Sequence, residues 1–381
     1  EYKVYRGTID GKNHTIKNMY IVNSSSYANR IGFIGEAEAT IKNLKFDNVK
    51  IVASGSNNYY IGVLSGISSG IIDNCHVTNS ILKCTANSSK SLGGLVGNLL
   101  SPNHANATPK IINSSFSGTV EGNRSVGGIA GDLECCLNGY SYITNCSVKG
   151  SVKGEYLVGG IAGYMGEYTG DGWSSGDFAA LEMCTNEATV KGEASGGIVG
   201  QMAAYACTIG CTNEGEIVGS GDDGTGGIVG LIKGDDVGND SRSYVIACRN
   251  LTDKVTLTSS RNPGGVVGYI DRALSGVYGS YTVKSTVDKS FTACVGNNPG
   301  SATNGTNGVF DSATDTDLTE VAVTALNTSI ETAFSSDMYS TPQSPYVSSG
   351  NYNTYKDYCW TFLALDSWPV FFKKAGLSSV P

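Results

Sequence analysis

Gly196-Gly-Ile-Val-Gly200 returns along the chain as Gly93-Gly-Leu-Val-Gly97, Gly127-Gly-Ile-Ala-Gly131, Gly159-Gly-Ile-Ala-Gly163, Gly226-Gly-Ile-Val-Gly230 and Gly264-Gly-Val-Val-Gly268. Two earlier copies are looser, Ile31-Gly-Phe-Ile-Gly35 and Ile61-Gly-Val-Leu-Ser65. The second residues of the phrases fall at 32, 62, 94, 128, 160, 197, 227 and 265, so the intervals are 30, 32, 34, 32, 37, 30 and 38. A period in this range marks one supersecondary unit that cannot bury its apolar face alone and stacks on copies of itself.

A second element recurs in the same beat, typified by Ile72-Asp-Asn-Cys-His-Val77 and Ile143-Thr-Asn-Cys-Ser-Val148. Aligned copies are Ile16-Lys-Asn-Met19, Ile41-Lys-Asn-Leu44, Ile112-Asn-Ser-Ser115, Leu181-Glu-Met-Cys184, Thr208-Ile-Gly-Cys211 and Val245-Ile-Ala-Cys248. An apolar residue closes each copy: Ile81, Val120, Val152, Val190, Ile217 and Val255. Short apolar runs broken by Gly, Asn and Ser, with no helical spacing, read as strands. The expected fold is therefore all-β: a parallel β-helix (β-solenoid) of about eight coils over residues 1–295. Residues 296–381 form a small C-terminal cap.

Composition narrows the function. A net charge of −8 argues against nucleic acid or an anionic membrane as partner. No apolar run reaches the ~18 residues that a membrane span needs. No signal peptide stands at the start, and the opening at Glu1 within the pattern suggests a removed upstream segment. The glycine phrases are not phosphate loops, because no Lys-Ser/Thr follows them and no helix pattern opens after them.

Eleven cysteines are present, and Cys75, Cys146, Cys184, Cys211 and Cys248 share one position of the repeat. Exchange with Leu44, Met19 and Ser115 marks that position as inward, with Cys acting as a small buried hydrophobe. Cysteines stacked on parallel strands are poorly placed for disulfides, so a reduced ladder is expected. Neither Cys135-Cys136 nor Cys207-x3-Cys211 has a matching second pair, so no zinc site is expected, while calcium at acidic turns such as Asp222-Asp223 and Asp235-Asp236 stays open. Two residues after the ladder come Ile21, Phe46, Val77 and Val148, then Asn186, Asn213 and Asn250. Three consecutive Asn suggest a stacked amide ladder at a turn, with a sugar-binding row as the alternative.

With these motifs the chain resembles the GLUG-repeat family of bacterial surface proteins. The eight glycine phrases carry the likeness. So does the opening Tyr5-Arg-Gly-Thr-Ile-Asp-Gly-Lys-Asn-His-Thr-Ile-Lys-Asn-Met19, and at the other end Val323-Thr-Ala-Leu-Asn327, Trp360 and Trp368-Pro-Val370. Ile31 and Ser65 depart from the pattern. The resemblance implies an adhesin-like protein, secreted or at the bacterial cell surface. Related repeats occur in IgA-specific metalloendopeptidases, but this chain holds no His-Glu-x-x-His stretch.

In the cap, a helix is predicted over 318–334, with Val321, Ala325, Ile330 and Phe334 on one face. Tyr358 to Leu363 and Pro369 to Phe372 read as aromatic strands. Insertions cluster on one edge of the coil, in loops 98–110, 132–142, 164–180 and 231–244. Tyr140, Tyr142, Tyr164, Tyr168, Trp173, Phe178 and Tyr244 lie there, and Tyr140, Tyr164, Tyr168, Trp173 and Tyr244 are the candidate ligand contacts. The alternative is that these rings pack the loops onto the rod. Catalysis would need paired carboxylates or a poised base, as in β-helix polysaccharide lyases and glycosidases. Asp222-Asp223 and Asp235-Asp236 sit instead in Gly-rich turns, where Asp is a turn residue. The expected function is thus a non-enzymatic, monomeric rod that needs no cofactor and binds a glycan or a host or matrix protein. The alternatives are a spacer in a larger surface protein or, third, a polysaccharide-degrading enzyme.

Overall fold

The computed structural model describes residues 3–24, 29–54, 59–85, 91–100, 108–135, 140–167, 178–233, 243–252, 254–257, 263–271, 275–283, 295–297, 303–304, 308–310, 320–335, 358–361 and 370–373. Among them the chain is nearly all-β, with long parallel sheets and a single helix. Equivalent strands of successive repeats pair in register. Ser91–Gly93 pairs with Ser125–Gly127, and Ser115–Glu121 pairs with Ser147–Lys153. Repeats therefore stack along one axis in a solenoid-like arrangement, and side chains at one repeat position form a column.

Three walls recur in each repeat. Strands that end on the first glycine of the phrase, such as Leu157–Gly159, build the shortest sheet. Strands that begin inside the phrase, such as Ala162–Glu167, start the second wall, which strands such as Phe178–Glu182 continue. Near the amino end one strand, Ile34–Lys42, runs through both parts of that wall without a break. The third wall holds His76–Cys84 and its equivalents. One apolar core runs between the walls from Ile31 to Val295.

The thiol column is real, with two reassignments. Register gives Leu44, Cys75, Ser114, Cys146, Cys184, Cys211, Cys248 and Ser280. Ser114, not Ser115, occupies the column, and Met19 stands beside Val49 instead. The residue before each column member takes positive φ: Asn43 52°, Asn74 52°, Asn113 51°, Asn145 53°, Met183 52°, Gly210 63°, Ala247 50° and Gly279 53°. Asn tolerates this left-handed corner better than other side chains, which accounts for the Asn-Cys dipeptides. The corner turns backbone N–H groups away from the strand ladder, and column side chains receive them. Cys75 N–H donates to Ser114 Oγ at 3.1 Å, Cys184 N–H to Cys211 Sγ at 3.4 Å, and Cys248 N–H to Ser280 Oγ at 3.0 Å. Cys is thus more than a small hydrophobe here. Cys75, Cys84, Cys135, Cys146, Cys184, Cys207, Cys211 and Cys248 are buried and outside any disulfide.

Two positions further on, the column reads Ile16, Phe46, Val77, Phe116, Val148, Asn186, Asn213, Asn250 and Thr282. Ile21, expected in it, stands beside Ile51. The three Asn are fully buried and form the amide ladder. Asn186 Nδ2 donates to Asn213 Oδ1 at 2.8 Å, Asn213 Nδ2 to Asn250 Oδ1 at 2.8 Å, and Asn250 Nδ2 to Thr282 Oγ1 at 3.0 Å. The second glycines of the phrases lie flat against this column. A Cβ on Gly160, Gly197 or Gly227 would overlap the amides of Asn186, Asn213 and Asn250 respectively.

The closing apolar residue near position 81 also moves. Leu82 is fully buried and pairs with Val120, whereas Ile81 is 47% exposed. A register shift between Val77 and Ser80, with Asn79 at φ 50°, inserts an extra residue and reverses the inward phase.

The helix, α1, spans Glu320–Ser335. Its buried face is Leu326, Ser329 and Ile330, while Ala325, expected inward, is exposed. Ser329 Oγ accepts the Gly279 N–H at 3.1 Å, so the helix sits on the last left-handed corner. Strands Tyr358–Thr361 and Val370–Lys373 pair antiparallel.

Two tests follow from this packing. Gly197→Ala has no room against Asn213 and the Gly227 carbonyl, and lowers unfolding free energy by about 3 kcal/mol or more in a denaturant titration. The thiols give an alkaline signature. Burial pushes the Cys75 thiol up to about 11, and burial likewise raises Cys146 and Cys211. Folded values above the unfolded ones mean full stability below the ordinary thiol range and a loss as pH rises through about 11. Melting temperature followed from pH 8 upward, with column residues changed to Ala as controls, checks this.

Candidate functional site

Strand Tyr140–Thr144 alternates strictly, with Ser141 and Ile143 buried and Tyr140, Tyr142 and Thr144 half-buried on the outer side. Lys110 and Ala180 flank Tyr142 on the neighbouring strands, and Ile112 and Glu182 flank Thr144. The Tyr140 and Tyr142 rings lie 6.3 Å apart and 18° from parallel. With Thr108, Lys110, Ile112, Thr144 and Glu182 they line a shallow groove of about 470 Å³. Glu182 is buried to all but 5% of its surface, and its Oε2 accepts from Thr144 Oγ1 at 3.3 Å. The aromatic strand runs along the middle of the groove, with the Lys110 cation on one neighbouring strand and the Glu182 carboxyl on the other. That chemistry suits a polyhydroxylated ring, which stacks an apolar face and hydrogen-bonds at its edge.

The sequence candidates separate in space. Tyr140 belongs to the groove. Tyr164 stands in a different outer column, in register with Asp132 and Gln201, and packs with Tyr156 and Tyr269 on Leu157, Ala194 and Leu231. Tyr244 is only 6% exposed and lies 6.3 Å from the Tyr278 ring, so it is a packing residue. Tyr168 and Trp173 lie outside the described residues, as does the side chain of Phe178. Sequence reasoning named Tyr142 only as a neighbour and passed over Thr108, Lys110, Ile112, Thr144 and Glu182. The signal was the alternation Tyr-Ser-Tyr-Ile-Thr, which by itself turns three side chains outward.

Among the described residues no group of three or more His, Cys, Asp and Glu is placed to hold a metal ion. No described helix is long and apolar enough to cross a membrane.

Fold and groove together define a nearly all-β protein with long parallel sheets and an aromatic groove on its outer wall. No family model matches the chain. A stretch of 97 residues is 34% identical to halomucin of Haloquadratum walsbyi (strain DSM 16790 / HBSQ001), which covers 25% of this chain. The match spans 1% of halomucin's length. Among solved structures, one described as a "putative immunoglobulin A1 protease" from Bacteroides ovatus is similar, with a TM-score of 0.42 and 20% identity. That likeness covers 81% of this chain and 86% of the other.

Exposure separates packing rings from contact rings by experiment. Tyr244→Ala empties a buried site and costs about 3 kcal/mol or more of stability. Tyr140→Ala, at the half-buried groove, costs under about 1 kcal/mol. Paired urea titrations of the two variants check the difference.

Proposed function

We propose that this chain is a non-enzymatic, adhesin-like rod of about eight coils, of GLUG-repeat type, secreted or displayed at a bacterial cell surface. It binds a glycan through the outer groove, as a monomer. The observation that carries this reading is the near-parallel Tyr140 and Tyr142 pair beside Lys110 and Glu182. Thr108, Lys110, Tyr140 and Tyr142 of the groove also fall within the sequence insertions 98–110 and 132–142. The likeness of 97 residues to a protein named halomucin supports a place outside the cell. Glu182 is the one acidic residue among those lining the groove, whereas glycoside hydrolysis uses a pair of carboxylates. A shallow groove gives weak affinity per site, and repeated display on a surface compensates.

Glycan-array screening of the whole chain, followed by the Tyr140→Ala/Tyr142→Ala double variant, tests the proposal. The expected result is an affinity at least ~10-fold lower, or about 1.4 kcal/mol, with an unchanged melting temperature. Undiminished binding by the folded double variant overturns the groove assignment. A wild-type chain that binds neither glycans nor matrix proteins is a spacer.

A further inference from the structure

A second outer column carries a buried carboxyl that the facing positions meet with hydroxyls alone. Glu36, Ile67, Asn98 and Asp132 follow one another in register on the second wall. Arg30, Tyr60, Ser91 and Ser125 follow one another on the facing wall. At the amino end, the column's carboxylate, Glu36, is met by the Arg30 guanidinium across the gap. Where Asp132 occupies that column, the facing positions hold Ser91 and Ser125, which offer hydroxyls and no charge. Ser91 donates to Asp132 Oδ2, and the Ser125 hydroxyl also bears on this carboxyl. Arg124 lies near, but its guanidinium is set over the Tyr156 ring, 5.7 Å from the centroid.

Two buried oxygens then remain without partners: Asp132 Oδ1 and Asn98 Oδ1. Their residues are 7% and 2% exposed and directly adjacent in register. The orientation of the Asn98 amide is fixed, because its Nδ2 donates to Glu134 Oε2 at 3.1 Å. A buried acceptor left unsatisfied destabilises the fold, and more so when it is charged. Burial first, and then the Glu134 charge, raise the Asp132 carboxyl well above its ordinary range, which marks a deficit of positive charge at this point.

We propose that Asp132 Oδ1, Asn98 Oδ1 and the Glu134 carboxylate hold a hard divalent cation of the Ca²⁺ type. All three ligands are oxygens, and two carry charge, as such cations require. Ser91 holds the other Asp132 oxygen and so orients the carboxylate. Few protein ligands leave most of the shell to water, so binding is weak and suited to millimolar extracellular calcium. The ion takes at Asp132 the place that the Arg30 guanidinium takes at Glu36, and it ties two successive coils together.

The test is titration of the EDTA-treated full chain with CaCl2, read by isothermal calorimetry and by melting temperature. One site with a Kd of about 0.1–1 mM and a saturable rise in melting temperature are expected. Asp132→Asn and Asn98→Leu each weaken that site at least ~10-fold, equivalent to about 1.4 kcal/mol. Should either variant fail to fold, Glu134→Gln, at a half-buried position, is expected to show the same weakening. No response of the wild type up to about 20 mM CaCl2, far above the range of extracellular calcium modules, overturns the proposal. So does an equal response in the folded variants. A chain that ignores Ca²⁺ but gains stability on acidification holds a proton between the two oxygens, which also overturns it.

Discussion

The contact on which the rod depends is between bare backbone and side chain. At Gly94, Gly128, Gly160, Gly197 and Gly227 one wall lies directly on the side chains of another, which are Phe116, Val148, Asn186, Asn213 and Asn250. No Cβ fits there, so the distance between the walls is set by the thickness of one flat or small group. A phenyl ring and a carboxamide both meet that limit, which is how Phe and Asn come to share a column. The amide brings a requirement of its own, since it is fully buried. Stacking supplies the answer: each Asn donates to the next along the axis, and each also donates to a carbonyl two residues ahead in its own coil, as Asn213 does to Gly215 at 3.0 Å. A buried polar column is tolerable when it is complementary to itself.

The same rule governs charge. In a parallel stack every residue meets its own repeat equivalent, so alternating signs along a charged column are favoured. Lys83, Glu121 and Lys153 alternate, with Lys–Glu separations of 3.1 and 3.5 Å. Glu121 responds as expected, its carboxyl held below the ordinary range chiefly by the hydrogen bond from Lys83. These exposed pairs are worth little individually. The alternation ends at Lys153, because Lys191 follows it in register on the next strand. Asp132 lies outside any such alternation, buried with Asn98 and Tyr164 beside it in register, whereas Glu36 of the same column has Arg30.

Periodic residues made the fold readable, and a single extra residue was enough to blur the register. The glycine beat, the thiol column and the three buried Asn were all legible, because each repeats one chemical demand at one coil position. The alignment slipped by one at Ile112 to Ser115, where Ile111 and Ser114 are the inward residues. Two adjacent Ile and two adjacent Ser make either phase look equally apolar or polar. It slipped again at Ile81 and Leu82, where the bulge after Val77 changes the phase without changing composition. At the amino end Ile16 and Met19 were drawn into the wrong columns, because Tyr5–Asp10 supplies the wall that Ile16 was assigned to. The outward turn of Tyr140 and Tyr142 was readable from alternation alone. The burial of Tyr244 was not, since strand Ser243–Ile246 is covered on both sides and alternation carries no information there.

The location of the groove follows from what insertion costs in such a stack. Ile34–Lys42 crosses the second wall unbroken, whereas later repeats split that wall into two strands with the insertion between them. Splitting leaves both inward columns whole. One runs Leu99, Leu133, Met165, Met202, Ile232 and Ile270; the other starts Ile41, Ile72, Ile111, Ile143 and Leu181. Extra chain at the break therefore removes nothing from the core, and the cost of closing a longer loop rises only slowly with its length. At the glycine phrase or the left-handed corner an insertion would displace a backbone contact repeated in every coil. Variation is consequently largest at that break and smaller elsewhere, as at the single-residue bulge of His76–Cys84. The segments that state the fold most clearly are the repetitive ones, while ligand chemistry is free to diverge only where the repeat falls silent.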